Sequence, residues 1–422
     1  NEAESTHHVE PLRAELLSLE QLKRHAVNLA QQHKIDPNHG ADKLLARLKE
    51  NEAVILNAYE IITCANQGSE KSETKINPAE GWLLDNFYLI QQQIILARRH
   101  LPRGFSQQLP KLLDGMSDGF PRIYDLALAL ISHMDGRIDH DNIASLVAAY
   151  QSEVPLMLGE LWAFPIMLQL ALLENLRRVA YRIARRREEQ NIALKWADCM
   201  LVAAEHEPKQ LIQLLAKFAN SDIPLSASFV EEFYGRLQDQ GAAMAFVQTW
   251  LEQQLLMQGV TATQLLESAS RTAATNQISI ANSIGSLRFI GAVDWQKFVE
   301  THSVVEQILI NDPADCYAKQ DFATRDHYRH AVENTAKKLL KHQAMQIFCA
   351  KSEMDIALTA NHLACAAGIL LGTHHQQAHV GYYLIGDGLD KLQVALSHHE
   401  CFKKQFLPSF LSYFLNPFCC LS

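Results

Sequence analysis

The sequence predicts an all-α fold, a multi-helix bundle of one or two packed lobes with no regular repeat. The 422-residue chain has only 18 glycines and 13 prolines. That is too few turn residues for the many short strands of a β-sandwich or β-barrel. Apolar residues recur at helical spacing along most of the chain, and no segment of five or more residues alternates as a strand does.

Local signals then place the helices in order. An N-terminal apolar stripe comprises Leu12, Leu16, Leu19, Leu22 and Val27. Asn77 and Glu80, three residues apart and followed by an apolar run, predict a capped helix start. Further helices are expected from about residue 121, from Asp139 or Asp141, and over residues 167–189, 192–204, 226–238, 242–257, 261–290, 294–310, 321–342 and 352–371.

Breaks in the apolar pattern suggest a domain organisation. The polar segment 67–75 separates an N-terminal helical arm, residues 1–75, from the body. A second break near Ser221–Pro224 divides the body into a helical lobe over residues 76–222 and another over residues 223–400. Residues 401–422 are expected to form an apolar tail, consistent with the truncated start of a membrane helix.

Composition narrows the class of protein. The chain has 38 lysines and arginines against 47 aspartates and glutamates, a net charge of −9, which gives no support to nucleic-acid binding. Its eight cysteines form no Cys-x-x-Cys pair, so a zinc knuckle is not indicated and a reduced, cytosolic setting is favoured. The acidic N-terminus lacks the features of a signal peptide.

Two apolar segments resemble membrane spans. Residues 156–173 include Glu160 and Pro165, and we interpret them as a buried helix because a carboxylate inside a membrane is costly. The apolar segment from Phe406 is shorter than the ~20 residues that cross a bilayer.

Glu160 and Trp162 are the candidate carbohydrate contacts, since a carboxylate beside a tryptophan is a common sugar-binding combination. A glycosidase needs a second carboxylate at a defined separation, which the sequence does not locate. The alternative interpretation is a tryptophan in a helix–helix core with Glu160 hydrogen-bonded nearby, and we favour it.

Two charged segments are candidate docking surfaces. Arg178, Arg182 and Arg185 share one helical face. This face could bind phosphate, an acidic partner or anionic lipid. The alternative is a solvated face whose positive charges suit the C-terminal end of a helix. In the second segment, acidic and basic residues are spaced three or four apart, so their side chains can pair on a helix. A structural ion-pair ladder, with Asp321 as the helix cap, also explains this segment. The segment comprises Asp321, Arg325, Asp326 and Arg329.

The histidines His374, His375 and His379 invite a metal site, with His362 or Glu400 as a distant further ligand. No His-Glu-x-x-His motif accompanies them, so we predict no metal and interpret them as structural or surface histidines. The sequence also lacks a glycine-rich phosphate loop and a Gly-x-Ser-x-Gly elbow. We therefore assign no catalytic residue.

Several long strings resemble the N-terminal region of the bacterial cyclic β-1,2-glucan synthases. The first half of the chain contains GWLLDNFYLIQQQI (81–94), RRHLPRGFSQQLPKL (98–112), PRIYDLALALISHMDGRID (121–139) and YQSEVPLMLGELWAFPIMLQLALLENLRRVA (150–180). The second half contains QISIANSIGSLRFIGAVDWQKFVETHSVVEQIL (277–309), DPADCYAKQDFATRDHYRHAVE (312–333) and HVGYYLIGDG (379–388). Residues 1–75 carry little of the resemblance.

The resemblance implies a large inner-membrane enzyme that polymerises glucose from UDP-glucose and closes the glucan into a ring. It implies that the nucleotide-binding site, with its divalent metal, lies in a following glycosyltransferase core, so this chain holds no cofactor. The chain would then be a soluble fragment from the cytoplasmic face of the inner membrane. Its partners would be the remainder of the synthase and the inner-membrane surface, with no nucleic acid.

Two other functions stay open on the sequence. A free-standing helical protein-interaction module would also explain the scarcity of site chemistry. A helical carbohydrate-active enzyme would use Glu160 with a second acid.

Overall fold

The computed structural model describes residues 15–36, 42–67, 77–102, 104–206, 208–221, 223–238, 240–343 and 352–398. The expected apolar tail, residues 401–422, lies outside this part of the chain, as do Leu12 of the N-terminal stripe and Glu400.

The described residues form seventeen α-helices and no sheet, which confirms the all-α prediction. The first nine are α1 (Leu19–Gln32), α2 (Leu44–Gln67), α3 (Pro78–Asp85), α4 (Phe87–His100), α5 (Arg122–His133), α6 (His140–Gln151), α7 (Leu158–His206), α8 (Pro208–Ala219) and α9 (Ala227–Leu237). The rest are α10 (Ala242–Met257), α11 (Ala262–Ile290), α12 (Trp295–His302), α13 (Val304–Leu309), α14 (Phe322–Gln343), α15 (Glu353–Leu371), α16 (Val380–Leu384) and α17 (Leu389–His398).

The predicted helix starts are confirmed where a side chain caps the helix. The Asn77 side chain accepts from the backbone N–H of Ala79 at 3.1 Å, and Glu80 accepts from the N–H of Asn77 at 3.0 Å. Asp139 accepts from the N–H of Asn142 at 2.9 Å and starts α6. These caps satisfy backbone donors that have no partner within the helix.

Two expected boundaries differ from the structure. The segments 167–189 and 192–204 belong to one helix, α7, because no proline or glycine separates them and Ala193 and Ala197 continue the buried face. Conversely, the expected helix 294–310 is divided at Ser303, whose side chain accepts from the N–H of Glu306 and starts a new helix there.

The 49-residue helix α7 organises the packing. Its N-terminal half is buried on nearly all sides, with α2, α4, α5, α11 and α12 packed against α7, which confirms that residues 156–173 are internal. Its C-terminal half packs with α8–α10 around a second apolar cluster that includes Phe218, Phe229 and Phe233. Helices α13–α17 enclose a third cluster around Tyr317, Ile356 and Val380. The division into lobes near residue 222 stays a prediction.

Within the described part of the chain, α15 is long and apolar enough to cross a membrane by length and composition. One third of its most apolar window, 33%, is buried. Its first half packs into the third cluster through Ile356, Ala357 and Ala360.

The turn between α5 and α6 fits tightly against α7 and α11. Gly136 has a φ of +76°, and a Cβ there would lie 2.5 Å from the Ser283 Oγ and 2.9 Å from the Asn175 Nδ2. Asn175 donates to the Oγ atoms of Ser279 and Ser283 at 3.0 and 2.9 Å, which fixes these side chains. Glycine is therefore required at this position for both its backbone conformation and its small volume.

We expect Gly136→Ala to lower the free energy of unfolding by about 2 kcal/mol or more, since the left-handed conformation alone costs ~1–2 kcal/mol in an L-residue. Gly115→Ala is the matched control, because Gly115 has a φ of +88° but no atom within 4 Å of the added methyl group. Urea denaturation of both variants measures the difference. Equal losses would show that the contact with Ser283 and Asn175 has no effect.

Candidate functional site

Glu160 forms a buried ion pair with Arg122. Arg122 Nε donates to Glu160 Oε1 at 2.7 Å, and Arg122 Nη2 donates to Oε2 at 2.6 Å. Glu160 is 0% exposed and lies in the first turn of α7, where its Oε2 also accepts from the N–H of Met157 at 2.9 Å. Burial opposes the charge on Arg122, but the Glu160 carboxylate raises the pKa of Arg122 overall. Glu160 therefore favours the charged form of Arg122.

This pair continues into a chain of polar side chains that joins α1, α5 and α6. The Arg122 guanidinium lies 5.9 Å from the centre of the Tyr150 ring. The Tyr150 hydroxyl is 2.9 Å from His33 Nδ1, and His33 Nε2 is 3.1 Å from Asp125 Oδ2. Burial raises the pKa of Tyr150 to about 12. The polar groups therefore satisfy each other inside the helical core.

Trp162 faces a different part of the molecule. It is half-buried and packs edge-on against Phe322, with ring centres 6.5 Å apart. Residues two apart on a helix point to different sides, so Glu160 and Trp162 do not share a surface. Their role as carbohydrate contacts stays a prediction, and in this structure the carboxylate has no exposed surface.

The arginines of α7 differ in exposure along the predicted face. Arg178 is buried and donates to Asn175 Oδ1 at 2.8 Å, while Arg182 is half-buried beside Asn276 on α11. Arg185 is exposed and pairs with Glu189 at 3.0 Å. Because α11 packs along this side of α7, the part of this set that a partner could reach is centred on Arg185.

Arg325 and Arg329 enter an internal ion cluster around Glu306. Arg329, which is fully buried, donates to Glu306 Oε2 at 2.6 Å, and Arg325 donates to Oε1 at 2.8 Å. Arg325 also pairs with Glu300 at 2.6 Å, and the Tyr317 hydroxyl donates to Glu306 Oε2 at 2.6 Å. We call these five residues the Glu306 cluster. Burial and the Glu306 carboxylate raise the pKa of Tyr317.

Asp321 and Asp326 support the same helix. Asp321 accepts from the N–H of Thr324 at 3.2 Å and caps α14, and Asp326 accepts from Arg329 at 3.0 Å. The structure thus has the expected Asp321 cap and the expected Asp326–Arg329 ion pair, whereas Arg325 pairs with Glu300 and Glu306 rather than with Asp321. The docking role of Asp321, Arg325, Asp326 and Arg329 stays a prediction.

His379 is held by Asp312 and Tyr328. Its Nδ1 lies 2.6 Å from Asp312 Oδ2, and its Nε2 lies 3.2 Å from the Tyr328 hydroxyl. Burial opposes the charge on Asp312, but the His379 hydrogen bond and the N–H of Val380 lower its pKa overall. A Cβ at Gly381 would lie 2.6 Å from the Tyr328 hydroxyl, so a glycine there permits the contact.

The histidines considered above as metal ligands, His374, His375 and His379, lie in different environments. His374 is exposed, and His375 Nδ1 accepts from the N–H of Gln377 at 3.2 Å. Within the described ranges, no group of three or more His, Cys, Asp or Glu side chains is arranged to hold a metal ion.

Glu353 joins the N-terminus of α15 to that of α7. Its Oε2 accepts from the N–H of Leu158 at 2.8 Å, across 195 residues of sequence. Glu353 is buried, and burial raises its pKa to about 7, with further contributions from Glu333 and Glu160. A carboxyl group that titrates near neutrality therefore lies at the junction of the first and third apolar clusters.

Sequence reasoning missed Arg122, Glu306 and Glu353. The spacing from Ser303 to Glu306, and the Ser352 that precedes Glu353, predict helix starts, and both serines do cap helices. Neither signal identifies the distant partner of the carboxylate. The partner of Arg122 lies 38 residues away and depends on how α5 packs against α7.

The described part of the chain also has two surface cavities away from these clusters. A cavity of about 460 Å³ lies between α7 and α8, lined by residues that include Asp198, Cys199 and His206. A smaller, apolar one of about 180 Å³ lies between α2 and α4, lined by Ile55, Phe87 and other residues. Neither cavity is lined by Glu160 or the Glu306 cluster.

We expect Glu160→Gln to lower the free energy of unfolding by about 3–5 kcal/mol, because it leaves Arg122 charged and buried without its counter-charge. Asp114→Asn, which removes the exposed partner of Lys34 at a similar 2.9 Å distance, should change stability little. The double variant Arg122→Met/Glu160→Leu should recover most of the loss. Chemical denaturation tests all three, and a double variant no more stable than Glu160→Gln would contradict this explanation.

We expect Glu353→Gln to stabilise the protein above pH 7. Because the folded state raises the pKa of Glu353 from 4.5 to about 7, the protonated carboxyl contributes stability that is present below pH 4.5. That contribution is lost as the pH rises through about 7. The free energy of unfolding of the wild type should therefore fall relative to that of Glu353→Gln between pH 5 and 8, by roughly 2–3 kcal/mol. Parallel pH profiles for the two proteins would contradict the assignment.

No protein-family model matches the chain. Among curated proteins, the chain is 28% identical over 386 residues to the cyclic beta-(1,2)-glucan synthase NdvB of Rhizobium meliloti (strain 1021). The aligned region covers 91% of this chain and 13% of that protein, so the chain spans about an eighth of the length of the relative. This similarity supports the relation to the cyclic β-1,2-glucan synthases that the sequence strings indicate.

Proposed function

We propose that this chain is a non-catalytic helical region of a cyclic β-1,2-glucan synthase and serves as a scaffold for the transferase core of that enzyme. The observation that carries the proposal is the extent of the similarity: almost the whole chain aligns, within a small fraction of NdvB. The full enzyme would use UDP-glucose and a divalent metal in its core, on the cytoplasmic face of the bacterial inner membrane.

Charged side chains that bind other residues of this chain support a scaffold role. The strings at 312–333 and 379–388, which carry the resemblance, supply Asp312, Arg329 and His379. All three bind other residues of this chain at 2.6 Å. Side chains committed to such contacts fix the positions of α13, α14 and α16 relative to one another.

The alternative function, a carbohydrate-active enzyme that uses Glu160 as a catalytic acid, has less support. Its carboxylate is fully buried and accepts two hydrogen bonds from Arg122, whereas a glycosidase acid must reach the scissile bond. A free-standing interaction module would use the same surfaces as the scaffold, and the similarity to NdvB favours the scaffold.

Two measurements on the whole chain test the proposal. Calorimetry with UDP-glucose should give no saturable heat, since the nucleotide-sugar site would lie in the transferase core. A second assay co-expresses the chain with NdvB lacking its matched region, and the two should purify together. Micromolar binding of UDP-glucose, or a failure to co-purify, would contradict the scaffold.

Charge reversal tests the docking surface. We expect Arg185→Glu to lower the co-purified fraction roughly three- to tenfold, as for a charge at the rim of an interface. Arg271→Glu is the matched control, because Arg271 is also exposed and also pairs with a glutamate one helical turn away, on α11. Equal recovery of both variants would exclude Arg185 from the docking surface.

A further inference from the structure

The C-terminal end of α15 presents three consecutive large aliphatic side chains to solvent. Ile369 is 85% exposed, Leu370 is 81% exposed and Leu371 is 53% exposed. We call these three residues the α15 tip. The helix ends there at Gly372, which has a φ of +93°. Isolated exposed apolar residues are common on protein surfaces, but three consecutive, largely exposed aliphatic side chains point to an interaction site.

The tip lies in a long stretch of sequence without formally charged residues. From residue 356 to residue 386 the sequence contains no aspartate, glutamate, lysine or arginine. The exposed residues His362, Cys365 and Ala366 precede the tip on α15, and His374 and His375 follow it. A partner recognised through ion pairs would find no formal charge at the tip.

The geometry of the tip distinguishes a lipid medium from a docked helix. Successive residues of an α-helix point about 100° apart, so the three side chains fan over roughly 200° of the helix circumference. A packed helix or sheet covers one stripe of residues spaced three or four apart, and leaves part of such a fan in water. Hydrocarbon surrounds an inserted helix end on every free side.

The remaining side of the helix end is attached to the protein. A Cβ at Gly368 would lie 3.6 Å from the Cβ atoms of Pro313 and Ala378. Ile356, Ala357 and Ala360 hold the first half of α15 in the third apolar cluster. The helix is therefore held by the protein along one side up to its end, and the side chains of the tip are exposed on the others.

We propose that the α15 tip inserts into the outer hydrocarbon of a phospholipid bilayer and fixes this region to a membrane surface without crossing it. Burial of exposed aliphatic side chains drives the insertion. Because the tip carries no charge, insertion does not require anionic headgroups and is insensitive to salt.

This inference assigns a specific lipid contact, the α15 tip, to the region proposed above as a scaffold. It stands on the exposed tip alone, and its test contains no other part of a synthase. A failure to bind lipid would therefore leave the scaffold proposal intact, and a failure to co-purify with NdvB would leave the lipid site intact.

Vesicle flotation of the whole chain tests the proposal, with vesicles of phosphatidylcholine alone and of phosphatidylcholine mixed with an anionic phospholipid. We expect the wild type to float with both kinds, at low and at high salt. The variant Ile369→Asp/Leu370→Asp should lower the bound fraction about tenfold or more, because it replaces buried hydrocarbon contacts with charge.

The matched control is Leu256→Asp/Met257→Asp, at the C-terminal end of α10. These two residues are also consecutive and exposed, at 63% and 72%. This control should float like the wild type. Circular dichroism should show unchanged melting for both variants, since the replaced side chains lie mainly in solvent.

A tryptophan at the tip gives a second readout that keeps the fold intact. Emission from Leu370→Trp should shift to shorter wavelength when phosphatidylcholine vesicles are added, and emission from Leu256→Trp should not shift.

Four outcomes would overturn the proposal: no flotation of the wild type, equal flotation of the Ile369→Asp/Leu370→Asp variant, binding confined to anionic vesicles, or no shift for Leu370→Trp. Light scattering that showed a dimer dissociated by the same variant would instead identify the tip as a contact between copies of this chain.

Discussion

The buried ion pair between Arg122 and Glu160 is the interaction on which the rest of the structure depends. It fixes the first turn of α7 against the first turn of α5, and α7 then lines two of the three apolar clusters. Two charges buried together stabilise a fold only when geometry and hydrogen bonding are good, as the two short, parallel hydrogen bonds are here. The pair thus joins the start of the longest helix to the start of α5.

The third cluster attaches to the same point. Glu353 accepts the N–H of Leu158, two residues before Glu160, and links the start of α15 to the start of α7. Farther along, the Glu306 cluster and the contact of His379 with Asp312 hold α13, α14 and α16 together. These charged side chains bind one another inside the protein and set the relative positions of helices, as the proposed scaffold requires.

Local features of the fold were predictable from the sequence, and the long-range pairs were not. The caps at Asn77, Asp139 and Asp321 depend on residues within three positions, so their spacing identifies them. The ladder from Asp326 to Arg329 was predictable for the same reason. In contrast, only tertiary packing brings Glu160 to Arg122 and Glu353 to the N–H of Leu158. The exposure of Ile369 likewise depends on which side of α15 other elements cover.

Hydrogen exchange measured by mass spectrometry tests the central role of the Arg122–Glu160 pair most directly. We predict that Glu160→Gln accelerates exchange together in α5, in the first turns of α7 and at the start of α15. Asp114→Asn should leave all three unchanged. Faster exchange confined to α7, with α5 and α15 as protected as in the wild type, would contradict the claim that this pair couples the helices around it.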